Sequence, residues 1–123
     1  MSQDFQDKVV LITGGSRGLG KAMAHGFAAR GANLAIVSRK LEGCDATATE
    51  LREAYGIDTF TRSTHVGDWD DLDRMVEAVI ERFGRIDVLV NNAGMSPLYP
   101  SLSEVSEALF DKVVSVNLKG PFR

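Results

Sequence analysis

The chain has a single cysteine, no long apolar run and no excess of positive charge. Cys44 stands alone, so no internal disulfide forms, and with no second Cys or conveniently spaced His it suggests no metal site. It reads as a small helix residue. The longest apolar runs, such as Val9 to Ile12 and, interrupted by Asp87, Ile86 to Val90, fall far short of the roughly 20 residues that cross a bilayer. The polar start is no signal peptide. Membrane association is therefore not expected, and the expected location is cytoplasmic. Lys and Arg number 14 against 17 Asp and Glu, a net charge of −3, with no basic tract of the kind that grips duplex phosphates. Nucleic acid is therefore not expected as a partner. What remains is an ordinary globular composition, 44% hydrophobic and 25% charged over 123 residues, enough for one domain with its own core. No internal repeat, low-complexity tract or second domain is visible.

Along the chain, short β-branched runs alternate with longer amphipathic segments, the pattern of βαβ units on a parallel sheet. Lys8 to Thr13 reads as a strand covered on both faces, because its apolar core is continuous. A helix is expected from Gly18 to Arg30, with Leu19, Met23, Gly26 and Phe27 on one stripe and Gly31 as the stop. Asn33 to Ser38 is the second strand. The second helix, Leu41 to Tyr55, aligns Cys44, Ala48, Leu51 and Tyr55 and stops at Gly56. Asp58 to Thr64 is the third strand. Asp68 is the expected N-cap of a third helix, with Asp70 and Asp71 complementing its dipole and Leu72, Met75, Val76, Val79, Ile80 and Phe83 as its apolar stripe. Arg85 to Val90 is the fourth strand. Ala93 to Ser103, carrying Pro97 and Pro100, reads as a loop. Ser106 caps a last helix whose stripe is Leu109, Val113, Val116 and Leu118.

Between the first strand and its helix stands Thr13-Gly-Gly-Ser-Arg-Gly-Leu-Gly20. The glycines at 14, 15, 18 and 20 miss the G-x-G-x-x-G spacing, yet the context is that of a dinucleotide turn. A strand turns sharply into a helix, glycine allows positive φ and close approach of a ligand, and the helix N-terminus offers free N–H groups to a pyrophosphate. On the glycines alone, a turn with no ligand fits equally well.

Thr13-Gly14-x-x-x-Gly18-x-Gly20, then Asn91-Asn-Ala-Gly94 after the fourth strand, then Val116-Asn117-Leu118 in the next helix, resemble the short-chain dehydrogenase/reductase family in type, order and spacing. The resemblance runs from Lys8 to Arg123. It implies a doubly wound Rossmann sheet, α/β in class, holding strands one to four in the order 3-2-1-4, with a nicotinamide dinucleotide across the carboxyl ends of the strands. It places Gly14, Ser16, Arg17, Gly18, Leu19 and Gly20 along the cofactor, with Ser38, Arg39 and Val66 on its adenosine side. Asn92, Ala93 and Gly94 fall nearer the ligand, while Asn91 is the more structural of the asparagine pair. Turn hydrogen bonds made by adjacent Asn residues fit the same segment without any ligand. Asn117 lies on the stripe expected to face the protein. Its pattern alone favours an amide satisfied by a backbone carbonyl in a bent helix, whereas the resemblance makes it the active-site asparagine that helps hold a water in a proton relay.

The second strand ends Ser38-Arg39-Lys40, with no acid for a ribose 2′-hydroxyl. A guanidinium grips a 2′-phosphate that a carboxylate would repel. NADP(H) is therefore the expected cofactor, NAD(H) the lesser one, and Arg17 a second cation for the same phosphate. Where family members often carry an acid after the third strand for the adenine amino group, this chain has Thr64-His65-Val66. Either the imidazole accepts that hydrogen bond or the Val66 backbone serves alone.

The family's Tyr-x-x-x-Lys pair and preceding serine are expected beyond Asn117, whereas the sequence runs to Arg123. Neither Tyr55 nor Tyr99 has a lysine four residues on, since Thr59 and Ser103 stand there. The expectation is one Rossmann domain over residues 1–123, cut within the helix after the fourth strand and inactive alone. It supplies the cofactor-binding half of an enzyme that moves hydride between NADP(H) and a small carbonyl or alcohol, as a homo-oligomer when complete. The alternative is a non-catalytic NADP-binding or regulatory module. A methyltransferase using S-adenosylmethionine fits less well, because such sites want an acid where Ser38-Arg39 stands.

Overall fold

The computed structural model describes residues 2–123. Four parallel strands, β1 (Val9–Thr13), β2 (Asn33–Ser38), β3 (Thr59–Ser63) and β4 (Val88–Val90), form one sheet in the order β3-β2-β1-β4. Helices α1 (Gly18–Ala29), α2 (Leu41–Tyr55) and α3 (Trp69–Phe83) make the crossovers. The arrangement is doubly wound. Val10, Ile12, Leu34 and Ile36 project to one face and pack against Ala24 and Ala28 of α1 and Cys44 and Leu51 of α2. Their neighbours Val9, Leu11, Ala35 and Val37 project to the other, against Leu72, Met75 and Val79 of α3. Because both faces are covered, β1 is buried at every position, which explains its unbroken apolar run. Each large side chain enclosed this way contributes roughly 1.5–3 kcal/mol.

The helix ends match the chemistry read from the sequence. Asp68 Oδ1 accepts from the Asp71 backbone N–H at 3.1 Å, and Gly84 ends α3. Ser106 Oγ accepts from Leu109 N–H at 3.1 Å at the start of α4 (Glu107–Val114). Strand β4 is shorter than expected. Asp87, which pairs with Arg85 at 3.0 Å, takes Val9 N–H on its own side chain at 2.8 Å, so regular pairing begins at Val88. The Arg85 guanidinium and the Val9 amide together hold the Asp87 carboxyl below the usual carboxylate range. The expected loop holds a short 3₁₀ turn, Leu102–Glu104.

Two helix faces differ from the sequence reading. On α1 the buried stripe is Gly20, Ala24 and Ala28, whereas Leu19 is 71% exposed and Gly26 is exposed. Small residues let α1 lie close on the sheet, so the face that packs is the one with least bulk. After α4 the helix widens into a π-helical segment, Ser115–Lys119, before a final turn α5 (Gly120–Phe122). The extra residue in that turn leaves Val116 buried but turns Leu118 and Asn117 out, so the burial expected of both is not found. Phe122 stacks on Trp69 of α3, and Arg123 pairs with Asp73. Among the described residues no helix is long and apolar enough to cross a membrane.

Candidate active site

The carboxyl ends of β1, β2 and β4 lie side by side, and the turns leaving them form one rim. Gly14 and Gly18 in the β1–α1 turn both have positive φ, +67° and +57°. They differ in surroundings. A Cβ at Gly18 would meet nothing within 4 Å, so the turn presents open space there, at the first residue of α1. A Cβ at Gly20 would overlap the Gly14 carbonyl oxygen and stand 2.5 Å from Asn92 Nδ2. Gly20 is thus packed on its Cβ side between the turn and the asparagine. The Leu19 side chain is exposed beside this turn.

Thr13 joins this turn to the segment after β4. Its hydroxyl oxygen accepts from the backbone N–H groups of Asn92 and Ala93, both at 3.1 Å, and donates toward Val90 O at 3.4 Å. Asn92 Nδ2 donates to Gly14 O at 3.0 Å. The asparagine side chain that braces the turn is Asn92, whereas Asn91, expected to be the more structural of the pair, is exposed and makes no side-chain hydrogen bond among the described residues. Ala93 is half-buried and Gly94 exposed beside Asn117. Asn117 Oδ1 accepts from Met95 N–H at 2.9 Å and its Nδ2 donates to Met95 O at 2.8 Å. The π-helical turn aims the amide at this loop. Asn92, Gly94, Met95, Ser96 and Asn117 line one open hollow.

At the next strand end, Ser38 Oγ donates to Lys40 O at 3.2 Å and lies 3.1 Å from Cys44 Sγ, so the hydroxyl is turned inward rather than toward a ligand. Cys44 is fully buried, and burial pushes its thiol up. Arg39 and Arg17 are exposed. No ion pair among the described residues includes Arg17, Arg39 or Lys40, although the chain carries more acids than bases. After β3, His65 Nδ1 accepts from Gly67 N–H at 2.9 Å. A neutral imidazole used this way carries its proton on Nε2 and has no acceptor left, so His65 does not offer the acceptor considered for an adenine amino group. Val66 is half-buried, and its carbonyl lies against Gly120.

Residues 8–123 match the family model for short chain dehydrogenase. The chain belongs to the short-chain dehydrogenase family. Levodione reductase of Leifsonia aquatica is 44% identical over 119 residues, 96% of this chain and 45% of that protein. The structure of L-sorbose reductase from Gluconobacter frateurii, complexed with NADPH and L-sorbose, is 30% identical with a TM-score of 0.93, covering 99% of this chain and 46% of that one. That of 3-ketoacyl-(acyl-carrier-protein) reductase from Brucella melitensis, complexed with NADH, is 35% identical with a TM-score of 0.88, covering 97% and 48%. The chain spans about half the length of the relatives it matches.

Within the short-chain dehydrogenase frame, the structure brings together three motifs read separately along the sequence: the glycine turn, the Asn91 to Gly94 segment and Asn117. Sequence reasoning gave no role to Thr13 or to Thr47. Thr13 was legible only as the residue before Gly14. Thr47, fully buried on α2, donates to Ser16 O at 3.2 Å and was not among the residues of the stripe read for its helix. Tyr55 sits beside His25 at 3.0 Å between α1 and α2, on the helical layer rather than on the rim.

Proposed function

We propose that the protein is an NADP(H)-dependent oxidoreductase acting on a small carbonyl or alcohol, with these residues forming its cofactor cleft. One observation carries the reading: three cations without carboxylate partners, Arg17, Arg39 and Lys40, stand at the ends of neighbouring strands beside a turn whose Gly18 faces open space. An anion with two phosphate positions fits that arrangement. Backbone N–H groups at the start of α1 would hold the pyrophosphate, where the helix dipole favours negative charge. Arg39 and Arg17 would hold a 2′-phosphate, to which a guanidinium supplies charge-assisted hydrogen bonds. The relatives named above include an NADPH complex and an NADH complex, which supports the nicotinamide class. The preference for NADP(H) rests on the cations and on the absence of an acid at position 38.

When bound, the nicotinamide supplies or accepts the hydride. The chain's own part is positional. Thr13 and Asn92 fix the glycine turn against the Ala93 backbone, and Ala93 and Gly94 border the nicotinamide side. Asn117 holds the Met95 backbone with both ends of its amide, and the remaining lone pair of Oδ1 can accept from a water in a proton relay. No tyrosine here has a lysine four residues on, so no proton donor is assigned among these residues.

Equilibrium titration of NADPH and NADH against wild type and Arg39→Ala tests the reading. Wild type binds NADPH more tightly, and Arg39→Ala loses about ten- to a hundredfold for NADPH, one charge-assisted phosphate contact, with little change for NADH. Equal wild-type affinities refute the cofactor assignment.

A further inference from the structure

Helix α2 reaches both sides of the rim with one turn of side chains. Cys44 meets the Ser38 hydroxyl at 3.1 Å, fixing the strand end that carries Arg39 and Lys40. Three residues on, on the same face, the Thr47 hydroxyl donates to the Ser16 carbonyl at 3.2 Å, a contact spanning 31 residues of sequence. Thr47 is 1% exposed. One turn before Thr47, Gly43 leaves room for Ser16: a Cβ there would stand 3.1 Å from Ser16 Cβ. Ser16 is followed by Arg17 and Gly18, so whatever holds Ser16 sets where the turn presents its cation and its open space.

We infer that Thr47 is a positioning residue for cofactor recognition, locking the glycine turn to α2 at a fixed separation from Arg39 and Lys40. The inference rests on the cofactor reading above and deepens it. A ligand that spans both positions, with phosphate at the turn and phosphate at Arg39, needs that separation held. A ligand lacking the second phosphate needs only the turn. Loss of the Thr47 hydroxyl therefore weakens NADPH binding more than NADH binding, and erodes the preference between them. The same geometry makes Gly43 restrictive: alanine there favours the helix, yet its methyl at 3.1 Å from Ser16 Cβ makes Ser16 shift slightly away from α2.

The experiment compares Thr47→Val, Thr47→Ser and Gly43→Ala with wild type in the intact protein, measuring Kd for NADPH and NADH and the thermal unfolding midpoint. Thr47→Val keeps the shape of the side chain and removes the donor, so NADPH affinity falls about tenfold, the span of one good hydrogen bond. NADH affinity falls less, and Thr47→Ser restores the wild-type ratio. Gly43→Ala lowers NADPH affinity without lowering the unfolding midpoint, which keeps the test decisive if Thr47→Val folds poorly. The inference is overturned if Thr47→Val binds as wild type, if both cofactors weaken equally, if serine fails to rescue, or if Gly43→Ala binds NADPH normally. A wild type that binds neither dinucleotide overturns the functional reading itself, an outcome distinct from all of these.

Discussion

Gly18 and Gly20 lie two residues apart in one turn, yet alanine at each is expected to have opposite consequences. At Gly20 a methyl group runs into the Gly14 carbonyl and into Asn92 Nδ2, so the turn must move away from the segment after β4. Overpacking of this kind costs about 1–3 kcal/mol, and the displaced Asn92 to Gly14 hydrogen bond about 1 kcal/mol more. Alanine returns about 1 kcal/mol as the better helix former, which leaves a net loss of about 1–3 kcal/mol. At Gly18 nothing stands within 4 Å, and the cost is the left-handed backbone at φ +57°, about 1–2 kcal/mol, partly offset by the stiffer unfolded chain. Its net loss is about 1 kcal/mol. Urea unfolding followed by far-ultraviolet circular dichroism separates the two. NADPH binding reverses the order: folded Gly18→Ala puts its methyl into the space assigned to the pyrophosphate and loses roughly tenfold in affinity. Equal stability losses, or undiminished binding by folded Gly18→Ala, would refute the reasoning.

Thr13→Val leaves the Asn92 and Ala93 amides without their acceptor and is expected to lower stability by about 2 kcal/mol, with Thr13→Ser near wild type in the same unfolding assay. Asn117→Ala frees Met95, whose amide exchanges about tenfold faster by hydrogen-exchange mass spectrometry, while amides in β1 keep their protection. Asp71 receives both prongs of Arg62 at 3.0 and 3.1 Å, and that guanidinium, with Arg74 beside it, holds the carboxyl below the usual carboxylate range. A depressed folded value stabilises the protein above the unfolded value of about 4 and is lost as pH falls through the folded one. Asp71→Asn is accordingly less stable than wild type near neutrality, and the gap closes on acidification in unfolding curves taken between pH 7 and pH 2.

The strands, the helix caps and the strand order were legible in the sequence because each has a local or motif-level cause. Burial on both faces writes a continuous apolar run at Val9 to Ile12. Asp68 and Ser106 satisfy amides three residues on. The order of the strands came with the motifs. What was not legible depends on residues distant in sequence or on bulk that is missing. The packed face of α1 follows Ala24 and Ala28, while periodicity of larger side chains pointed to Leu19. Asn91 and Asn92 are chemically identical, and only the path of the chain after β4 decides which turns back to Gly14. His65 kept its acceptor for its own neighbour, Gly67. The π-helical turn around Asn117 leaves no trace in apolar spacing, since it shifts the register by a single residue.

The brace at Thr13 has a consequence for the order in which the protein takes shape. Its acceptor oxygen meets amides 79 and 80 residues further along the chain. Closing a loop of that length costs about 4 kcal/mol of chain entropy, and ribosomal synthesis at about 5–20 residues per second separates the two partners by roughly 4–16 s. Until β4 has docked beside β1, the glycine turn is held by Val37 and Thr47 alone, without its bonds to Asn92 and Ala93. A nascent chain therefore completes this rim in a late step, and on the proposed cofactor reading a dinucleotide stabilises only chains that have passed it.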